Sequence, residues 1–407
     1  ATSSSTSRVI DVIATKKGYP CFTGDAENAF WQVPIDEECY MYPPKEWAAK
    51  QSQDDVKKFL WKLKKEWYGR RVAGRNFVEW AAGKVMKRGF NRSVAAPWFF
   101  HHPGLDISLE IHMDDIYGTG PLSVNKEFME DLSKDVVMKW KMRQVGDEFE
   151  HLKRKRRIEP DGMFIEPNNK YLQSLVWLLG LEGANPAPTP EVTTEKDVEE
   201  EPLDEQQVKI YRRGVGVSIY IASDRPDVQH AVRELTKDMK SPRPSSMNRL
   251  RRLTRYLLGT PEKGVWLPRA GDIEYLEGLS DTDWAACKRT RKSCAGATLF
   301  VGNALVTSYS RGLSMICLSS GEAEFNGGVA ATQEALFLKD IFAFMGIVLS
   351  VRMWLDSSAA RGVYQRQGVG RIRHLETKGL WVQQGLKEKR FSLNAIDTET
   401  NVSDIGT

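Results

Sequence analysis

Between Gly183 and Gln206 the chain reads GANPAPTPEVTTEKDVEEEPLDEQ, and no other stretch constrains the fold as much. Proline, threonine and repeated acids with almost no large apolar side chain cannot bury enough surface to offset the entropy of ordering them. A flexible linker over 183–207 is therefore expected. One continuous core is excluded, and the 407 residues divide in at least two, as chains of that length generally do.

Before the linker, a strand pattern at Leu109 to Ile116 is followed by a helical one at Leu122 to Lys141, which points to a mixed α+β layer. After it, Ile219, Tyr220, Ala231, Val232, Leu235, Leu250, Leu253, Tyr256 and Leu257 recur at helical spacing, punctuated by Pro226, Pro242 and Pro244. From Ile273 the pattern changes to strands at Ile273–Leu279, Ala295–Val301 and Ala304–Ser310. A long helix from Ser319 or Ser320 to Met345 follows, with Ser320 as a suitable N-cap and Glu322 and Glu324 favoured by the helix dipole. A strand at Leu349–Leu355 and a helix from about Leu375 to Lys387 complete a mixed sheet with helices on its faces.

Composition narrows the function classes. With 41% hydrophobic and 28% charged residues and no apolar run of about 20 residues, a membrane partner is not expected. Five cysteines, Cys21, Cys39, Cys287, Cys294 and Cys317, are odd in number and form no Cys-x-x-Cys pair. Free thiols in a reducing compartment are expected, with neither zinc nor disulfides. Net charge is only +4, yet Lys and Arg crowd into 62–75, 153–157, 249–255 and 288–292, while 191–205 is acidic. Basic runs interleaved with Trp61, Trp67, Tyr68 and Phe77 suit a nucleic-acid backbone and unstacked bases. Any one run alone is better read as a solvated face; four together favour a polyanion partner. The start at Ala1, with a Ser/Thr string after it, is expected of a piece of something longer.

Two sets of acids carry the chemistry. Asp114 and Asp115 are adjacent within Ile111-His112-Met113-Asp114-Asp115-Ile116-Tyr117, where like charges raise each other's pKa unless a cation lies between them. A solvated turn is the plainer alternative. Farther on, Asp281 is expected to end one strand, Glu324 to lie at the start of the long helix, Asp356 to end another strand, and Asp404 to fall near the C-terminus. Carboxylates from several elements converging on one sheet edge suit two Mg²⁺ about 3.5–4 Å apart and in-line attack on a phosphodiester.

Leu279-Ser280-Asp281-Thr282-Asp283-Trp284-Ala285-Ala286-Cys287, Ser319-Ser320-Gly321-Glu322-Ala323-Glu324-Phe325 and Met353-Trp354-Leu355-Asp356 together resemble the ribonuclease H domain of copia-type LTR retrotransposon Pol polyproteins. The resemblance extends through Tyr211-Arg212, Arg225-Pro226-Asp227 and Arg255-Tyr256-Leu257-Leu258-Gly259-Thr260 of a helical connection. It reaches Leu63-Lys64-Lys65, Tyr68-Gly69 and Asp25-Ala26-Glu27-Asn28-Ala29-Phe30, similar to the first palm motif of reverse transcriptases. It implies an α+β palm and thumb over 1–182, the linker, a helical connection over 208–270 and an RNase H-like domain over 271–407 with a mixed five-stranded sheet. It further implies RNA-directed DNA polymerase and ribonuclease H activities. Asp25, Asp114 and Asp115 would be one metal-binding catalytic set and Asp281, Glu324, Asp356 and Asp404 the other, each with two Mg²⁺ or Mn²⁺. Phe30 and Arg75 would meet the nucleotide, and Lys64, Lys65, Arg154, Lys155 and Arg156 the nucleic acid. The implied partners are RNA template, DNA primer, RNA/DNA hybrid, dNTPs and the integrase and protease of the same Pol polyprotein. The implied setting is a cytoplasmic virus-like particle, or the nucleus.

Several positions depart from the family. His112 stands where an aromatic is usual, Val72 and Gly74 replace a Gln and a Pro that hold the nucleotide, and Leu152-Lys153-Arg154 replaces a Leu-Gly turn near the primer grip. The residues before Asp25 are too few for the family's fingers, and the chain ends three residues after Asp404, so that acid's helix is expected to fray. His374 is read as structural. Hybrid cleavage without primer extension is the expected behaviour. A degenerate remnant that retains at most hybrid-specific RNA cleavage or nucleic-acid binding is the main rival, and an unrelated two-metal nuclease, which leaves Asp25 and the doublet idle, ranks below both.

Overall fold

The computed structural model describes residues 4–35, 37–50, 60–192, 200–370 and 379–407; His374 and the first part of the expected 375–387 helix lie outside them. The chain forms two compact units: Ala1–Ile10 with Tyr19–Arg143, and Asp11–Gly18 with Gln144–Thr407. Helix α1 (Ser4–Lys17) gives residues to both. It went unrecognised in the sequence because it has no polar face: Val9, Ile10, Val12 and Ile13 are buried, but so are Thr6, Ser7, Arg8 and Asp11.

The first unit is built on an antiparallel sheet of β1 (Cys21–Ala26), β2 (Asn91–Arg92), β3 (Phe99–His102), β4 (Ile107–His112), β5 (Asp115–Thr119) and β6 (Met138–Arg143), in the order β2-β3-β4-β5-β1-β6. Helix α2 (Ala73–Met86) buries Ala73, Phe77, Ala81 and Val85 at intervals of four, one stripe of a 3.6-residue period. Helix α3 (Leu122–Asp135) buries Phe128, Met129 and Leu132, and both stripes join Phe22, Leu109 and Ile116 in one core. Gly118 is required there, since a Cβ would lie 2.3 Å from Phe22 Cζ. The expected strand 109–116 is in fact two strands around a turn. The expected helix 122–141 stops at Asp135, after which β6 pairs with β1.

The second unit opens with an antiparallel sheet of β7 (Glu148–His151), β8 (Arg154–Glu159), β9 (Gly162–Pro167) and β10 (Val265–Pro268), ordered β10-β9-β8-β7. Strand β9 pairs with β10, which comes about a hundred residues later in the chain, within the compact unit that holds Gln144–Thr407. Helices α4 (Asn169–Leu179), α5 (Glu205–Ala222), α6 (Gln229–Thr236) and α7 (Pro244–Gly259) share an apolar cluster around Leu175, Tyr211, Val215, Leu235, Leu250 and Leu253. The described part of the expected linker is irregular but not detached. Ala187 is buried in that cluster and its N–H donates to the Arg255 carbonyl at 3.2 Å, while Glu200 accepts from the Ser245 N–H at 3.0 Å. Pro and Thr supply no helix, yet tertiary contacts seat the segment.

The remaining residues form a mixed five-stranded sheet of β11 (Tyr275–Asp283), β12 (Cys294–Val301), β13 (Ala304–Gly312), β14 (Ser350–Leu355) and β15 (Ser392–Ala395), ordered β13-β12-β11-β14-β15. Strands β11 to β13 are antiparallel, whereas β14 runs parallel to β11 and β15 parallel to β14. Helix α8 (Ser320–Phe344) packs against β11, with α9 (Ser358–Gln365) and α10 (Trp381–Lys387) alongside. The N-cap of α8 is Ser319, whose side chain accepts from the Glu322 N–H, rather than Ser320.

Candidate active sites

In the second unit, β11 is the central strand, so its middle is buried on both faces. Asp281 lies within this strand, which runs on to Asp283, and not at its end as expected. The parallel register sets Ser280 beside Leu355, which brings Asp356, the next residue after β14, alongside Asp281. Glu324 descends from the second turn of α8, while Glu322 turns back to accept from the Leu318 N–H at 2.7 Å. One carboxylate oxygen from each of Asp281, Glu324 and Asp356 lies within 4.8 Å of the others, the only such metal-competent group among the described residues.

These three charges are held together at a cost. Burial, then Asp281 and Asp356, push the Glu324 carboxyl up to about 8. Burial and the charges of Asp356 and Asp404 raise Asp281, against a hydrogen bond from Thr407 that lowers it. Glu324 Oε2 is buried and has no hydrogen-bond partner, and an unpartnered acceptor among like charges is a seat for a hard cation. Two hydroxyls orient the outer oxygens: Thr407 Oγ1 donates to Asp281 Oδ2 at 2.6 Å and Thr398 Oγ1 to Asp356 Oδ2 at 2.9 Å. Sequence reasoning missed both, since a lone threonine carries no motif.

Asp404 is exposed and outside the close group, although its charge is felt at Asp281. Its segment does not fray as expected. Val402–Gly406 is a 3₁₀ turn clamped to the sheet, with Asn401 Nδ2 donating to the Ser280 carbonyl at 3.2 Å and Cys294 Sγ to the Gly406 carbonyl at 3.4 Å.

In the first unit, Asp25 of β1 faces Asp115 of β5 in the antiparallel register. Asp114 sits in the β4–β5 turn, where its carbonyl accepts from the Ala26 N–H at 2.9 Å. Burial, then Asp114 and Asp25, raise the Asp115 carboxyl to about 6. Asp25, Asp114 and Asp115 therefore do form one electrostatic group, more open than Asp281, Glu324 and Asp356 because Asp25 and Asp114 are exposed. Lys139 lies opposite Asp25 and pairs with Glu27 at 2.8 Å. Met113 in the turn has φ 54°, and a Cβ on Gly74 would come 2.7 Å from Met113 Cε. Gly74 thus leaves space that the flexible end of the Met113 side chain fills. Arg75 is exposed in the first turn of α2, and Phe30 is partly buried with its ring 4.7 Å from that of Tyr68.

The basic residues separate into two kinds. Lys64 and Lys65 are exposed. Arg154 and Arg156 do not lie on the surface where nucleic-acid contacts were expected: both are buried, Arg154 beside Asp224 at 3.1 Å and Arg156 held by Asp11. Strand alternation is the reason, since in β8 residues 154, 156 and 158 face inward and only Lys155 and Arg157 turn outward. Lys155 meets Glu148 and, at 3.5 Å, Glu166. The turn before β8 remains tight without glycine, with Leu152 and Lys153 both at positive φ, 49° and 62°.

The family model described as "Reverse transcriptase (RNA-dependent DNA polymerase)" matches residues 3–193. The retrovirus-related Pol polyprotein from transposon RE2 of Arabidopsis thaliana is 26% identical over 346 residues, 84% of this chain and 23% of that protein. The chain belongs to this family of copia-type transposon Pol polyproteins. The corresponding polyprotein from transposon TNT 1-94 of Nicotiana tabacum is 23% identical over 399 residues, 94% of this chain and 29% of that protein. The chain thus spans about a quarter of the length of these relatives. Among solved structures, a foamy viral protease-reverse transcriptase in complex with RNA/DNA hybrid superposes with a TM-score of 0.54 at 11% identity, over 93% of this chain and 44% of that one. The chain therefore shares the fold of that protease-reverse transcriptase over nearly its whole length.

Proposed function

We propose that this stretch of Pol cleaves the RNA strand of an RNA/DNA hybrid at Asp281, Glu324 and Asp356, with Asp404 as an outer fourth acid. The observation that carries the reading is the buried, mutually repelling carboxylate group with its unpartnered Glu324 Oε2. Mg²⁺ or Mn²⁺, two per site, would activate water and stabilise the charge that develops on the phosphate. Glu324 and Asp281 would hold the cations from the helix and the central strand. Asp356 is kept in its rotamer by Thr398, and Asp404 brings further negative charge at the open side.

The palm acids Asp25, Asp114 and Asp115 are proposed as the second two-metal site, inherited for RNA-directed DNA synthesis from a primer, an RNA template and dNTPs. Phe30, Arg75, Lys64 and Lys65 are the groups proposed to meet nucleotide and template there, and Lys155 remains a contact for the nucleic-acid backbone. The integrase and protease of the same Pol polyprotein are its proposed partners. Extension by this stretch alone is not expected, because Val72 and Gly74 stand where the family carries its nucleotide-holding Gln and Pro.

The test uses purified protein with a labelled hybrid and, separately, a primed RNA template, each with Mg²⁺. Cleavage lost in both Asp281→Asn and Asp356→Asn is the expected result. Cleavage that persists in those variants overturns the nuclease assignment, and primer extension by the parent overturns the expectation of a silent palm.

A further inference from the structure

In the first unit, a groove of about 560 Å³ lies between the short helix Ala29–Gln32 and the segment after residue 60, lined by Trp31, Trp61 and Trp67 together with Lys62, Lys64 and Lys65. Backbone hydrogen bonds from Leu63 N–H to the Cys39 carbonyl at 2.9 Å and from Glu66 N–H to the Val33 carbonyl at 2.9 Å tie the two walls together. The three indoles are 42%, 38% and 38% exposed, a poor use of such large apolar rings unless something covers them. Trp31 and Trp67 lie with ring centroids 5.4 Å apart and planes tilted by 31°, with Tyr68 edge-on to Trp31 at 5.9 Å, and both indoles line the groove while remaining part-exposed.

Charge decides among the possible occupants. Lys62 is taken up by Glu38 at 2.6 Å, whereas Lys64 and Lys65 are exposed and have no acidic partner among the described residues. Uncompensated ammonium groups spaced along a wall of open indoles match a polyanion with unpaired flat bases, which stack on aromatic faces without regard to sequence. A paired duplex hides its bases, and an apolar peptide has no use for the cations.

We propose that this groove is a stacking site for a single, unpaired nucleic-acid strand, with bases on Trp31 and Trp67 and phosphates on Lys64 and Lys65. The inference deepens the proposed polymerase reading by naming where an unpaired template strand is held, but strand binding needs no metal and is measurable without catalysis.

The experiment is fluorescence anisotropy of a labelled oligothymidylate of about twelve nucleotides with the full chain in EDTA, beside a duplex of the same charge. Trp31→Ala and the double variant Lys64→Gln/Lys65→Gln are each expected to bind the single strand about tenfold more weakly, with duplex affinity unchanged; Trp31→Phe, which keeps a ring, retains most of the affinity. Single-strand affinity unchanged in both variants overturns the proposal. So does equal weakening of strand and duplex, or a change of oligomeric state by light scattering with strand binding intact, which would make a second copy the occupant. Failure of cleavage and extension assays leaves this binding result standing, so the two readings fail separately.

Discussion

Arg156 and Asp11, 145 positions apart, form a buried two-pronged ion pair: Nε donates to Oδ1 at 2.7 Å and Nη2 to Oδ2 at 3.1 Å, while Nη1 donates to the His151 carbonyl at 3.0 Å. The two side chains are 1% and 0% exposed. Removing one partner strands a charge, which costs about 3–5 kcal/mol, whereas replacing both with apolar groups is often neutral. Asp11→Ala is expected to lower the unfolding free energy from denaturant titration by that amount, and Asp11→Leu/Arg156→Met to recover most of it. A double variant with weakened, less salt-dependent nucleic-acid binding would restore the reading of Arg156 as a phosphate contact.

Glu324 predicts a pH dependence. Its carboxyl is raised from an ordinary 4.5 to about 8 in the folded chain, so the folded state holds the proton more tightly than the unfolded state. Stability from this group is present below about 4.5 and is lost as the pH rises through about 8. Without divalent cations, Glu324→Gln should raise stability at alkaline pH by on the order of 2–3 kcal/mol. Mg²⁺ binding at neutral pH should release a proton, read by calorimetry in buffers of different ionisation enthalpy. Buffer-independent heats would argue against a protonated Glu324.

Asp115 gives the corresponding test in the palm. Its carboxyl stands at about 6 because of burial, Asp114 and Asp25. The sign is the same: stability from this group falls as the pH rises from about 4 to 6. Asp115→Asn should stabilise the metal-free protein at neutral pH by about 1 kcal/mol, allowing for solvent screening. Asp114→Asn should move the Asp115 midpoint, followed by carboxyl-carbon NMR, back toward the ordinary range. An unmoved midpoint would mean the two carboxylates do not sense each other.

Gly296 predicts a link between packing and cleavage. A Cβ there would lie 2.4 Å from the Ser403 carbonyl, so Gly296→Ala should push the Val402–Gly406 turn off the sheet and release the hydroxyl that Thr407 gives to Asp281. The expected loss is about 1–3 kcal/mol, accompanied by reduced hybrid cleavage. Gly216, inside α5 with nothing within 4 Å of a Cβ, is the contrast: Gly216→Ala should gain about 0.5–1 kcal/mol. Unimpaired cleavage in Gly296→Ala would remove any role for the clamped C-terminal turn.

Local pattern points to the Asp114-Asp115 doublet, to Asp281, Glu324 and Asp356, to the helices after the 183–207 stretch and to the strand-rich C-terminal part, because periodicity and residue chemistry are properties of short windows. Asp25 enters only through the family resemblance. Window-based reading fails at Arg154 and Arg156, where a run of charge looks exposed until the strand period turns alternate residues toward Asp224 and Asp11. It fails at α1, where every face is covered and no amphipathic stripe exists to be seen. It also fails at the supposed linker, where Ala187 finds a pocket among helices far along the chain.

The sequence by itself determined which carboxylates are candidates to bind a cation and roughly which strand or helix most of them belong to. Only the tertiary structure decided which of them meet. Register across β11 and β14 joins Asp281 to Asp356, and the clamped turn leaves Asp404 outside the close group. Asp224, 70 positions from Arg154, and Asp11, 145 positions from Arg156, pair with two arginines that the charge run alone would leave exposed. Chemical capacity is local, whereas desolvation and charge pairing depend on what the rest of the chain brings near.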